Sequence, residues 1–483
     1  MSELSQAPVG GLTQVPVGVL APERFEEAVG TRRFAPFASR MEEAERLLEG
    51  RAVWNVNSTA AGGGVAEMLR SLLAYARGAG VDARWIVVPG NEDFFRLTKR
   101  LHNHLHGSLG DGGGLGAEEA ALYKTTLQPS AEELCDLVRP GDIVIVHDPQ
   151  PAGMCAGLVD TGAAVIWRCH VGLDRPNKTA RTAWDFLRGY VEPAHAYVFT
   201  RRAFAWERLA DDKIVVVAPS IDAFSPKNQE LEPDAVPAIL DTAGLVPDGG
   251  TGLGTFLRED GTPGRVDRHA EMFEDEPVPR DAAVVTQVSR WDRLKDPVGV
   301  IEGFGRHVAP VAGAHLVVAG PSVAAVADDP EGAEVLAESQ TAWRALPQPA
   351  RARVHLAALP MEDREENAAI VNALQRRAAV VVQKSLAEGF GLTVAEAMWK
   401  ARPVVASRIG GIQDQIEHGV SGILIDDPRD LESYGAAVAG LLENEERALK
   451  MGAEAQERVR DEFLAVRHLL QYAELIEKLL GSV

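Results

Sequence analysis

The sequence predicts an α/β protein of two doubly wound domains, each a mostly parallel sheet with helices on both faces. Three observations predict it. Short apolar runs recur along the chain, with helical stretches between them. That rhythm stops once, over residues 228–280, and then resumes. The 483 residues are too many for one hydrophobic core but suit two.

Residues 1–45 carry scattered Pro and Glu, with a helix predicted near 37–48. AVWNVN, over Ala52–Asn57, is an apolar run closing on polar residues, and it reads as a buried strand. The turn STAAGGG follows, ending in Gly62, Gly63 and Gly64. Val65, Met68, Leu69, Leu72, Leu73 and Ala76 then recur at helical spacing, and RWIVV (84–88) is the next strand. Strand, Gly-rich turn, helix and strand make a βαβ unit. Further strands are predicted over 143–146, 163–167, 197–200 and 214–217, so the first domain ends near Ser225. Gly, Pro and Asp dominate 226–280, which reads as a linker or insertion. The second domain, 281–483, has strands at 282–288, 316–319, 354–357, 380–383, 403–406 and 422–425. Its helices fall at 364–377, 393–400 and 445–459, and an amphipathic segment spans 464–480. Two such domains predict a cleft between them, with ligands at the carboxyl ends of strands.

Bulk properties exclude several functions. With 49 Lys and Arg against 70 Asp and Glu, the net charge is −21, which repels nucleic acid and anionic lipid. Any anionic small ligand then needs a local cluster of cations and backbone N–H groups. Cys135, Cys155 and Cys169 form no CxxC pair and are odd in number, which predicts reduced thiols and a cytoplasmic setting. The amino terminus has no signal-peptide pattern, and no apolar run is long enough to span a membrane.

The strongest chemical signal is EGFGLTVAE, from Glu388 to Glu396, between a strand and a helix. Gly389 and Gly391 let backbone approach a ligand closely, and the helix start at Gly391, Leu392 and Thr393 offers amides to a diphosphate. Glu388 and Glu396 could bond sugar hydroxyls on either side. Thr393 to Glu396 also spells a capping box, in which Glu396 only serves its own helix, and spacing leaves that alternative open. SRWDRLK, after the strand at 282–288, supplies Arg290 and Lys295, cations suited to phosphate or to a solvated loop. Gly62–Gly64 lacks the G-x-G-x-x-G fingerprint and reads as a flexible loop or a tight turn. His147, Asp148, Arg168 and His170 follow apolar strands, where polar residues meet ligands or merely pack. RLTKRLHNHLH (96–106) does not place its histidines on one helix face, so it predicts no metal site.

These residues resemble a known group. EGFGLTVAEAMWKARPVVAS is similar to the E-x7-E signature of family 4 glycosyltransferases of the GT-B fold, and SRWDRLK to that family's phosphate-gripping Arg and Lys. NVNSTAAGGGVAEML, VHDPQPAG, WRCH and APSID more narrowly resemble trehalose synthases that join nucleotide-activated glucose to free glucose. The resemblance covers roughly 50–227 and 280–475. It implies an amino-terminal acceptor domain, a carboxyl-terminal donor domain and retention of the α configuration. Glu396 would hold the ribose and Glu388 the donor sugar. Arg290, Lys295 and the amides of Gly391, Leu392 and Thr393 would hold the diphosphate. Gly62–Gly64 would close over the donor, His170 would sit beside the transferred sugar, and Asp148 and Arg168 would lie on the acceptor side. No cofactor and no metal is expected, and the partners are nucleotide diphosphate glucose and a small sugar; a homodimer is compatible with the sequence. The insertion at 228–280 and the charged Lys384 depart from the family's pattern. A phosphorylase, a nucleotide-sugar epimerase, a transferase to another acceptor and a non-catalytic sugar-nucleotide-binding protein remain as alternatives.

Overall fold

The computed structural model describes residues 8–9, 11–60, 63–247, 252–323 and 330–481. The chain forms two compact units, residues 1–220 with 465–483 and residues 221–464.

The strands of the first unit are β1 (Pro8–Val9), β2 (Leu12–Val15), β3 (Ala52–Asn57), β4 (Asp82–Val87), β5 (Ile143–His147), β6 (Ala164–Cys169), β7 (Ala196–Phe199) and β8 (Ile214–Val216). Among the described residues they form one sheet in the order β1-β2-β4-β3-β5-β6-β7-β8. From β4 to β8 every pairing is parallel, while β2 joins β4 antiparallel. The central strands are buried along their whole length, which is why they read as continuous apolar runs. The order reverses between β3 and β5, so their carboxyl ends flank the crevice where this topology binds ligands.

The second unit opens with the hairpin β9 (Thr255–Leu257) and β10 (Pro263–Arg265). Its sheet contains β11 (Glu271–Phe273), β12 (Val284–Val288), β13 (His315–Pro321), β14 (Val354–Leu359), β15 (Val380–Gln383), β16 (Val404–Ser407) and β17 (Ile423–Ile425). Among the described residues the order is β11-β14-β13-β12-β15-β16-β17, parallel from β14 to β17 with β11 antiparallel at the edge. The reversal falls between β12 and β15.

Two expected boundaries move. Residues 226–280 are not a free linker where they are described. Leu231, Ala235, Ile239, Leu240, Phe256 and Val266 pack with Ala369, Ile370 and Leu374 of the helix Arg364–Arg377. The Gln229 side chain clamps Leu257 through bonds of 2.7 and 3.0 Å. Apolar residues are too thinly spread among Gly, Pro and Asp to show this packing in the sequence. The segment 464–480, expected in the second domain, is the helix Ala465–Leu480 of the first unit. Its Leu475 and Ile476 enter a core with Val53, Ile145 and Ile166.

Candidate active site

In the second unit the site is built by two loops at the reversal. After β12, Trp291 is buried and its Nε1 donates to the Pro321 carbonyl at 2.9 Å, anchoring the loop. Asp292 accepts the Leu294 amide at 2.8 Å, which tightens the turn Arg293–Lys295. Gln287 Nε2 donates to the Lys295 carbonyl at 3.1 Å. After β15 the second loop runs to Gly391. Its Leu386 amide donates to the Leu294 carbonyl at 2.7 Å, tying the loops together. Lys384 is buried, and its ammonium binds the Asp296 carboxylate and, at 2.6 Å, the Pro428 carbonyl. The charge that departed from the expected pattern is therefore a cross-brace. The result brings Lys295 Nζ to 2.5 Å from Glu388 Oε2. Both side chains keep limited exposure, 17% and 12%.

The Glu388 loop rests on a second glycine turn. The Gly411 amide donates to the Gly389 carbonyl at 2.9 Å, and Gln415 Nε2 donates to the Phe390 carbonyl at 2.6 Å. A Cβ on Gly410 would lie 1.8 Å from the Glu388 carbonyl oxygen, so the approach demands glycine. Gly391 has φ 86° and starts the helix Leu392–Trp399 with no side-chain cap. Its amino-terminal turn is thus open to an anion. Thr393 is already inside the helix, and its hydroxyl donates to Gln383 Oε1 at 3.1 Å. The capping-box alternative, with Thr393 as the cap, is not formed.

Glu396 is enclosed, with Oε1 3.6 Å from Lys227 Nζ. Lys400 Nζ donates to the Glu396 carbonyl at 3.1 Å and to Asn228 Oδ1 at 3.0 Å. Burial pushes the Lys400 ammonium down to about 7, against the pull of Glu396. Neither lysine was anticipated; Lys227 lies 169 residues before Glu396 and carries no local motif. Arg290 shares the loop of Lys295 but is 58% exposed, with NH2 3.2 Å from Asp292.

In the first unit, polar residues gather where β5 and β6 end. Asp148 holds φ 64°, its amide donates to the Arg168 carbonyl at 2.7 Å, and its Oδ1 accepts the His170 amide at 2.7 Å. A left-handed aspartate at a sheet reversal is the kind of local strain that sites retain. Burial pushes its carboxyl up to about 7, opposed by the His170 amide and by Arg168. His147 Nδ1 lies 3.1 Å from His170 Nε2, and His147 Nε2 lies 3.0 Å from Asn55 Oδ1. Burial, then Arg168, hold both imidazoles down, His147 to about 3 and His170 well below its ordinary value.

Arg168 is fully enclosed, and among the described residues its guanidinium nitrogens find no hydrogen-bond partner. It lies within β6 with its side chain enclosed, where the resemblance implied a residue on the acceptor side. The fields of Tyr472, Asp148 and Cys169 reach it. His468, on the same carboxyl-terminal helix as Tyr472, bonds Ser220 Oγ through Nδ1 at 3.0 Å. Asn55, His468 and Tyr472 had no sequence signal beyond being polar in apolar settings. Gly63 and Gly64 open the helix Gly63–Gly78, and Gly62 lies outside the described residues. Among the described residues no three His, Cys, Asp or Glu converge as metal ligands, and no helix is long and apolar enough to cross a membrane.

Comparison with known proteins agrees with this architecture. A family model described as the trehalose synthase N-terminal domain matches residues 55–206, and one described as glycosyl transferases group 1 matches residues 269–458. A trehalose synthase of Rubrobacter xylanophilus is 36% identical over 443 residues, 91% of this chain and 94% of its own. One of Pyrococcus horikoshii is 34% identical over 443 residues, 92% and 94% of the two chains. Among solved structures, an α,α-trehalose-phosphate synthase (UDP-forming) of Burkholderia vietnamiensis superposes with a TM-score of 0.65 at 15% identity, covering 90% of this chain and all of that one. That likeness shows the fold. With its two Rossmann-like units of the GT-B type and these full-length relatives, the chain belongs to the trehalose synthase family of glycosyltransferases.

Proposed function

We propose that this protein is a retaining glucosyltransferase, of family 4, that moves glucose from a nucleotide diphosphate glucose to free glucose and forms trehalose. The observation that carries the reading is the Lys295–Glu388 pair at the reversal of the second sheet, beside an uncapped helix start. It sets a cation for phosphate, a carboxylate for sugar hydroxyls and a dipole end within one pair of loops.

In the reaction the bond from the anomeric carbon to the phosphate oxygen breaks, and a bond to the acceptor oxygen forms. The acceptor's proton leaves with the phosphate. Positive charge develops on the sugar and negative charge on the diphosphate. Lys295, Arg290 and the amides at Gly391, Leu392 and Thr393 stabilise that negative charge without a metal. Glu388 orients the donor sugar and Glu396 the ribose. His170 and Asp148, both in the first unit, supply polar groups suited to sugar hydroxyls. Attack comes from the face the phosphate leaves, so the α configuration is kept. The names of the relatives support trehalose as the product.

Incubation of an α-linked nucleotide glucose with free glucose, with and without excess chelator, tests the reading. Proton NMR is expected to show a non-reducing α,α-linked disaccharide in both. A β-linkage would refute the mechanism, and an α-linkage to another acceptor would overturn only the substrate. Activity that needs magnesium or manganese would remove the metal-free mechanism. Glucose 1-phosphate formed from trehalose and inorganic phosphate would favour a phosphorylase.

A further inference from the structure

His147 is buried at the end of β5, and both of its ring nitrogens are engaged. Nε2 faces Asn55 Oδ1 at 3.0 Å. With Asn55 in this orientation, which leaves its Nδ2 buried without a partner among the described residues, the amide oxygen only accepts, so His147 Nε2 carries the hydrogen. The ring is neutral, held so by burial and by Arg168. A neutral imidazole that donates through one nitrogen accepts through the other. His147 Nδ1 therefore accepts, and the hydrogen in its 3.1 Å contact belongs to His170 Nε2. His170 is neutral as well, which leaves its lone pair on Nδ1. Among the described residues Nδ1 makes no hydrogen bond, and His170 is partly exposed at the carboxyl end of β6.

We infer that Asn55, acting through His147, fixes the tautomer of His170 so that an unprotonated Nδ1 is offered to a ligand hydroxyl. Asn55 is a positioning residue: it touches no substrate, and it sets the polarity of a group that does. The same amide turned over would reverse both hydrogens and make His170 a donor. One side-chain orientation on β3 thus decides whether the exposed imidazole accepts or donates. The role given to the hydroxyl rests on the proposed transfer to a sugar; the tautomer relay does not.

The test uses full-length protein labelled with ¹⁵N-histidine, and long-range proton–nitrogen NMR reads which ring nitrogens bear hydrogen. His147→Gln and His170→Gln spectra assign the two rings. The expected result is protonated Nε2 and bare Nδ1 on both. A protonated Nδ1 on His170 overturns the relay and leaves the proposed reaction standing. In Asn55→Leu, His170 is expected to lose its single tautomer, and kcat/KM to fall about 10-fold, the loss of one hydrogen bond's orientation. An unchanged His170 tautomer in that variant removes Asn55 as its determinant. If the wild type shows the relay but no glucosyl transfer, the proposed reaction fails and the relay stands.

Discussion

At Lys295 and Glu388 the free protein keeps two charges that the proposed reaction uses separately. Paired at 2.5 Å and largely enclosed, they neutralise each other. In the proposed reaction a diphosphate would compete for the ammonium, and Glu388 would then be released to accept from a sugar hydroxyl. Lys295→Ala is therefore expected to lower kcat/KM for transfer about 100-fold, the usual cost of one lost transition-state contact. Its unfolding midpoint should fall, because Glu388 is left without its counter-charge. Steady-state kinetics and a thermal melt check both halves, and unaltered kinetics would take Lys295 out of the site. The motif that carries Glu388 was legible from spacing alone, but the status of Glu396 was not. Whether Thr393 caps its helix depends on where the helix begins, and Gly391 decides that with a φ of 86°. No count of residues contains that angle. The same holds for Arg168, which precedes His170 by two positions and yet lies entirely inside the sheet.

At the level of elements, the site is two loops held in register by braces beneath them. Lys384 spans from the end of β15 to Asp296, which has φ 52° and caps the helix Pro297–Gly303 by accepting the Gly299 amide at 3.1 Å. Removing its ammonium strips a buried pair of one partner and leaves the Pro428 carbonyl unsatisfied. Lys384→Met is expected to destabilise the protein by about 3 kcal/mol. The donor KM should rise as well, because the Lys295 loop loses its lower support. A denaturant titration and donor saturation curves measure the two effects; unchanged stability would mean that the brace is idle. The elements themselves were readable wherever burial is complete. β3, β15 and the helix Arg364–Arg377 stand at their expected bounds, because continuous apolar runs and a 3.6-residue period are local signals. β2 and β11 were missed: each is short and lies toward an edge of its sheet, with half of the β2 residues and all of the β11 residues exposed or intermediate.

At the level of the whole molecule, the carboxyl-terminal helix belongs to the unit that begins the chain. Arg40 of the helix Thr31–Leu47 reaches Glu477 at 2.6 Å, and Leu475 and Ile476 complete the core over β3, β5 and β6. Ending the chain after Leu464 would expose those sheet residues and remove His468 and Tyr472 from beside Arg168. The loss of the two buried aliphatic side chains alone is worth about 4 kcal/mol. Calorimetry of the truncated protein should show the first unit melting well below its place in the full chain, while residues 221–464 keep their transition. Equal melting of both proteins would contradict this division.

The sequence by itself determined two α/β units, most of their strands and helices, and the motifs at the carboxyl ends of β12 and β15. Each of these is encoded within a few neighbouring residues, as a period, a run or a turn. Only the tertiary structure decided that the described residues of 226–280 pack as part of the second unit, that the last helix returns to the first, and that Glu396 meets Lys227. It also joined Asn55 to His147 across 92 positions and His147 to His170 across 23. Contacts between distant positions are selected by the packing of whole elements, and packing leaves no periodic trace along the chain.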